Sequence, residues 1–154
     1  MLTSSSCVTD VLHTYGTAGF RAEASTLPAT VMRTGVIAAA RSLETRSTTG
    51  LMVTASHHPP KDNGVKVSDP DGSMLPVEWE LYCNNIAAAE DAEGVVRVAE
   101  TLFKEKQIQL SAKLKRDIPA VFLSRDTRAS GRALGDAAIK VCTAAEQRIG
   151  LSLK

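Results

Sequence analysis

Residues 49–68 read TGLMVTASHHPPKDNGVKVS. The stretch falls into three parts. TGLMVT, 49–54, is a short apolar run behind a Ser/Thr-rich turn, and its length and flanks predict a buried strand. GVKVS, 64–68, alternates apolar and polar residues as a second strand does. Between them, TASHHPPKDNG holds a serine, two histidines, two prolines, and then Lys61, Asp62, Asn63 and Gly64. Strand, loop and strand in immediate succession set the architecture around which the other segments are arranged.

Outward from this point the chain alternates. Pro28 suits a first helical turn, and Val31, Met32, Gly35, Val36, Ala39, Ala40 and Leu43 recur with helical period, so 28–44 reads as a helix. Upstream, YGTAGFR (15–21) is a glycine-bearing loop, and residues 1–14 are expected to be a flexible N-terminus. Downstream, DPDG at 69–72 is a turn. Helices are expected from about 76 to 91, from 92 to 107 and from 130 to 147. A charged link, KLKRD, leads to a third strand at 120–124. RIGLSLK at the C-terminus reads either as a last strand or as a frayed end. Strands alternating with helices predict an α/β fold, a single three-layer domain with a mixed, mostly parallel sheet between helices.

Composition narrows the function. A chain of 154 residues suits one domain, and 44% hydrophobic residues supply a core. Net charge is +1, with no basic run, so neither nucleic acid nor an anionic membrane is an expected partner. No apolar stretch is long enough for a membrane span, and MLTSSSCVTD lacks the pattern of a secretory signal. Cys7, Cys83 and Cys142 are odd in number and in no CxxC pattern, which places the chain in a reducing compartment, the cytoplasm.

The loop after the first strand is the main candidate site, because open α/β sheets place ligands beyond the carboxyl ends of their strands. Spacing alone leaves two readings open: a turn built by Pro59, Pro60, Asn63 and Gly64, or a ligand loop. A histidine metal site is disfavoured, since adjacent side chains on an extended chain point to opposite sides. A Ser-His hydrolase lacks the GxSxG elbow. Phosphate chemistry uses more of what is present. Ser56 is a hydroxyl on a tight loop, with Lys61, Lys66 and His57 near it in sequence. Gly16, Thr17 and Gly19 offer a flexible backbone, and Arg21 a fixed cation. Arg125 and Arg128 flank the end of the third strand. Glycine loops let N–H groups approach anionic oxygens, and arginines match them with paired donors. Neither GxxxxGK[ST] nor GxGxxG occurs, which removes support for nucleotide binding. DPDG lacks the further ligands of a calcium loop.

Taken together, YGTAGFR, TASHHPPKDNGVK, SDPDGSML and SRDTRAS resemble the first domain of the α-D-phosphohexomutases, and within them the phosphoacetylglucosamine mutase branch. The family loop is typically TASHNP followed by NGxK; here the frame holds Ser56, His57, His58, Asn63 and Lys66. An RDxR motif placed after the serine loop, as at Arg125 to Arg128, marks that branch. The resemblance covers roughly residues 15 to 145. It implies that Ser56 carries a phosphoryl group, passes it to a sugar phosphate, and regains one from the bisphosphate intermediate. It implies N-acetylglucosamine 6-phosphate and 1-phosphate as substrate and product, en route to the UDP-sugar. By the same resemblance Lys66 acts as acid/base or charge stabiliser, Arg21 binds the reacting phosphate region and His57 orients the loop or its phosphate. His58, standing where the family has asparagine, is then a substitute donor or a sign of relaxed function. Asn63 belongs to the loop frame, and Arg125 and Arg128 brace the site. Mg2+ would be held by the phosphate on Ser56 and by three aspartates.

Those aspartates belong to a DGDxD loop that this sequence does not contain. The GExSG sugar loop and the terminal phosphate loop are missing as well. Residues 15–154 are therefore expected to be domain 1 without domains 2–4. The chain would be a fragment, a truncated gene product or a degenerate relative, inactive by itself. Two functional classes follow: a piece of a mutase, or a non-catalytic relative that binds a sugar phosphate or a protein partner. Apolar surface left open by the missing domains predicts self-association.

Overall fold

The structure is a computed structural model and describes residues 12–109, 119–149 and 152–153. Most of the expected N-terminal segment, the KLKRD link and Cys7 lie outside the described residues. The strands are β1 (Phe20–Glu23), β2 (Thr48–Val53), β3 (Asp62–Ser68), β4 (Ala120–Arg125) and β5 (Ser152–Leu153). The helices are α1 (Pro28–Thr45), α2 (Val77–Ala87), α3 (Ala92–Glu105) and α4 (Gly131–Ile149). A single 3-10 turn, Ala24–Thr26, joins β1 to α1. Of the C-terminal stretch, Ser152–Leu153 form a strand, β5, that pairs with β4.

The sheet order is β1-β3-β2-β4-β5. It is mixed, as expected, but evenly so rather than mostly parallel. β3 runs antiparallel to both β1 and β2, while β4 runs parallel to β2 and β5. The cause is the TASHHPPK loop. It holds no helix, and a connection that short can only return the chain antiparallel. β1, whose first two residues close the stretch expected to be a glycine loop, is a strand because it completes the ladder beside β3, with Phe20 opposite Val65 and Arg21 opposite Gly64.

Setting β3 aside, the strands run in one direction and step one way across the sheet. Right-handed crossovers then put all the connecting helices on one face. Contacts agree: α1 packs on β2 and touches α2, α3 and α4. Among the described residues α1 to α4 therefore pack together on one face of the sheet. α1 lies in the middle and is buried nearly all round, from Ala29 to Leu43. Met32, expected on its apolar stripe, is instead exposed, and Ile37, Ala38 and Thr34 are in the core. Gly35 faces α4, where the position of a Cβ would be in ordinary contact with Cys142 Sγ at 3.7 Å. Trp79, Cys83 and Ile86 recur along α2 and are fully buried.

Side chains on the helix side of the sheet, Leu51, Val53, Val65, Val67 and Val121, are buried. The opposite face is polar and half-open. Met52 lies beside Lys66 and Ser124, and Gly50 beside Phe122, which is 54% exposed. The DPDG turn is held to α1 by a forked ion pair, with Arg41 Nε and Nη2 donating to the two oxygens of Asp69 at 2.8 and 2.6 Å. The Asp69 carboxylate holds the guanidinium protonated, above its ordinary value.

Candidate active site

β2 ends at Val53, and the following loop climbs past the carboxyl end of the strand. Ala55 to His58 form a tight turn, with the His58 N–H donating to Ala55 O at 2.9 Å. His57 takes the third position with φ of 76°. That left-handed angle is what a type II turn requires, and the position usually holds glycine or asparagine. Ser56 and His57 are exposed on the crown of this turn. A second tight turn follows, in which Asp62 N–H donates to Pro59 O at 3.0 Å. The loop is thus both things the sequence allowed, a built turn and a raised serine.

Arg128 reaches in from beyond β4. Its Nη1 donates to Pro59 O (2.8 Å) and Asp62 O (3.1 Å), and its Nη2 to Ala55 O (2.5 Å) and His58 O (3.0 Å). Its Nε donates to Asp126 Oδ2 at 3.2 Å. Asp126 in turn accepts from Thr54 Oγ1 at 2.8 Å and from the Arg128 N–H at 3.1 Å. Burial pushes the Asp126 carboxyl up, but the hydrogen bond from Thr54 and those from Arg128 outweigh it and hold the group below its ordinary 3.8. Asn63 is fully buried, donates to Ser130 Oγ at 2.8 Å and accepts from Gly64 N–H at 2.9 Å.

The expected site residues therefore separate. Arg128 and Asn63 support the loop and face inward. Arg125 is exposed, and among the described residues its side chain hydrogen-bonds the Asp126 carbonyl, at 3.4 Å, and not the loop. His58 Nδ1 lies 3.5 Å from Asp62 Oδ2, spanning the second turn. Arg21, Lys66, His57 and Ser56 are the residues turned outward. Arg21 Nη1 donates to Ser56 O at 3.5 Å. Arg21 and Lys66 stand on the helix-free face, and no hydrogen bond or ion pair engages the Lys66 ammonium among the described residues. Gly19, at φ of 76°, passes so close to β3 that a Cβ would lie 2.7 Å from Lys66 Cβ. Gly16 closes the same turn, accepting from Gly19 N–H at 2.8 Å, and Thr17 is exposed at its tip. Lys66, Gly16 and Thr17 line one end of a groove of about 460 Å³ that continues to Met74, Leu75 and Val77.

Asp126, Thr54 and Ser130 were not singled out by the sequence reading, although all three stand inside or beside its motifs. The described residues do not by themselves fit a magnesium site. No three His, Cys, Asp or Glu side chains converge among them, and the Asp126 carboxylate is already engaged by Thr54 and Arg128.

The serine loop thus stands beyond the end of β2 on a mixed α/β sheet, with Arg21 donating to the Ser56 carbonyl and Lys66 on the same sheet face as Arg21. Residues 11–94 match the family model described as phosphoglucomutase/phosphomannomutase, alpha/beta/alpha domain I, and the chain belongs to that family. Within it the chain is similar to phosphoacetylglucosamine mutases. It is 46% identical over 121 residues to that of Arabidopsis thaliana, covering 78% of this chain and 21% of the relative. It is 45% identical over 140 residues to that of Candida albicans, covering 84% and 25%. Among solved structures, N-acetylglucosamine-phosphate mutase in its product complex, a member of the α-D-phosphohexomutase superfamily, matches with TM-score 0.80 and 39% identity, over 94% of this chain and 26% of that one. Aspergillus fumigatus N-acetylphosphoglucosamine mutase, in complex with GlcNAc-6P and magnesium, matches with TM-score 0.73 and 37% identity, over 94% and 25%. The chain thus spans at most about a quarter of the length of these relatives.

Proposed function

We propose that this chain is the phosphoserine-bearing first domain of an N-acetylglucosamine-phosphate mutase. The observation that carries the reading is the exposed Ser56 on a loop held by Arg128, with His57 exposed beside it, Arg21 donating to the Ser56 carbonyl, and Lys66 on the same sheet face as Arg21. Phosphoryl transfer needs little covalent help. It needs the donor oxygen, acceptor oxygen and neutralising charges held in line. In the forward step the Ser56 Oγ–P bond breaks and a bond from phosphorus to a sugar hydroxyl forms. Lys66 faces the side where that hydroxyl would approach, and it stabilises the charge or relays the hydroxyl proton. Arg21 spans β1 and the Ser56 carbonyl and would neutralise the transferring group. The second phosphate of the bisphosphate then returns to Ser56, regenerating the carrier. Magnesium would contribute charge neutralisation, with the phosphate on Ser56 its one ligand from the described residues.

The substrates would be N-acetylglucosamine 6-phosphate and 1-phosphate, feeding UDP-sugar synthesis in the cytoplasm. No helix among the described residues is long and apolar enough to cross a membrane. The test is incubation of the chain with a hexose 1,6-bisphosphate and magnesium, followed by mass spectrometry of the peptide holding Ser56. One added phosphoryl group, lost in Ser56→Ala, is the expected result; an unmodified serine under conditions that label an intact relative would refute it. Turnover by the chain alone is not expected.

A second reading, a non-catalytic relative that binds a sugar phosphate or a partner, draws on the lack of convergent carboxylates among the described residues. It predicts sugar-phosphate binding without phosphoryl transfer. In either case the helix-free sheet face, with Met52 and Phe122, would drive self-association of the isolated chain. Sedimentation at rising concentration should show it, and Phe122→Asp should suppress it.

A further inference from the structure

One guanidinium gathers four carbonyls of the Ser56 loop. An arginine has five N–H donors, and here five acceptors meet them: the carbonyls of Ala55, His58, Pro59 and Asp62, and Asp126 Oδ2. No donor is left over for a ligand. Arg128 is therefore not a phosphate-binding residue, and its charge is offset by Asp126 at 3.2 Å. The loop sequence fits this arrangement. Pro59 and Pro60 have no N–H, so the peptide units whose carbonyls point to Arg128 on that side leave no donor stranded. Asp126 also joins the neighbouring strands, since its N–H donates to Val53 O at 3.2 Å and its carboxylate accepts from Thr54 Oγ1 at 2.8 Å.

We propose that Asp126 and Arg128 act as one positioning pair for Ser56. Asp126 sets the plane of the guanidinium from the ends of β2 and β4, and Arg128 turns the loop carbonyls inward so that the serine hydroxyl is held outward. The inference rests on Ser56 being the phosphoryl carrier, and it assigns to Asp126 a role in that chemistry without contact to substrate. A lysine at 128 would keep the charge but offer three donors at one point, too few and too compact for five acceptors.

The test is ¹⁵N relaxation on the 154-residue chain, unmodified, as Arg128→Lys and as Asp126→Asn. In the unmodified chain the amides of Ser56, His57, His58 and Lys61 should have order parameters of about 0.85, falling below about 0.6 in both variants while α1 and β2 stay unchanged. Phosphoryl acceptance by Ser56 should slow by at least about ten-fold, since displacements near 1 Å have large kinetic effects. A loop as ordered in folded Arg128→Lys as in the unmodified chain, or an unchanged acceptance rate, would overturn the proposal. Should either variant not fold, the unmodified chain still decides. Five hydrogen bonds must block rotation about the Arg128 Cζ–Nη bonds, so separate, slowly exchanging Nη–H signals are expected, and one averaged signal would contradict the assignment. If Ser56 accepts no phosphoryl group even in the unmodified chain, the mutase reading fails while the order comparison still tests the pair.

Discussion

Gly19→Ala is the sharpest test of how the cationic face is built. Gly19 has φ of 76°, and a Cβ there would stand 2.3 Å from Val65 O and 2.7 Å from Lys66 Cβ. Two costs add. A side chain in the left-handed region costs about 1–2 kcal/mol. Overlap with a backbone oxygen and a Cβ in the next strand cannot be relieved by a rotamer change, so β1 must shift from β3, at about 1–3 kcal/mol more. Reduced freedom of the unfolded chain returns about 0.4–1 kcal/mol. The net loss is therefore roughly 1–5 kcal/mol, and at about 2–4 °C per kcal/mol for a domain of this size it should lower the melting temperature by several degrees or more. Gly16, three residues earlier in the same turn, is the control. No atom lies within 4 Å of its virtual Cβ, so Gly16→Ala should stay within about 0.5 kcal/mol of the unmodified chain. Urea unfolding of both variants supplies the measurement, with equal slopes required for the comparison. Equal stabilities for the two variants would refute the claim that Gly19 is glycine because β3 and Lys66 occupy its Cβ position.

Other outcomes can be read on the same preparations. Thr54→Val keeps the shape and removes the hydroxyl that donates to Asp126 at 2.8 Å, so it should lose about 1.5–3 kcal/mol in urea, and a loss under about 0.5 would mean the bond is idle. His13 bonds Thr30 Oγ1 at 2.8 Å and Thr26 Oγ1 at 3.1 Å, and burial lowers its pKa below the ordinary 6.5. The unfolded chain then holds the proton more tightly, so this stability is full above pH 6.5 and is lost as pH falls through 6.5 toward the folded value; His13→Gln should flatten that part of a melting-temperature profile. Asp126 has the opposite chemistry at a lower pH. Its depressed carboxyl contributes stability above 3.8 that disappears as pH falls below it, and Asp126→Asn should remove that acid limb. Burial pushes the Cys142 thiol up to about 11 and raises Cys83 as well, so neither should react with a thiol reagent at neutral pH until the chain unfolds.

Which parts of this molecule the sequence made legible follows from the range of the interactions. α1, β2, β3 and β4 are set by local pattern, and their expected and observed bounds differ by a residue or two. The serine loop was legible for the same reason: prolines, Asn63 and Gly64 act on their own neighbours. β1 was missed because Phe20–Glu23 has no strand signal of its own and is a strand only because β3 offers a free edge. Met32 was misplaced because α1 is covered by three other helices, so a one-sided apolar stripe was the wrong template for it.

The two arginines of RDTR carry the same lesson into the site. Arg125 is the last residue of β4 and Arg128 lies three residues beyond it, and nothing in their spacing says which one turns to the loop. That is decided by β4 lying parallel beside β2, with Arg125 opposite Val53. The pairing brings the chain after β4 level with the chain after β2, so Asp126 meets Thr54 and Arg128 lies under Ala55 to Asp62. The same stepping order of strands sends α1 through α4 to one face and leaves Lys66 and Arg21 on the other. Strand order is not written in any local window, yet it fixes both which arginine holds the Ser56 loop and which cations stand on the open face of the sheet.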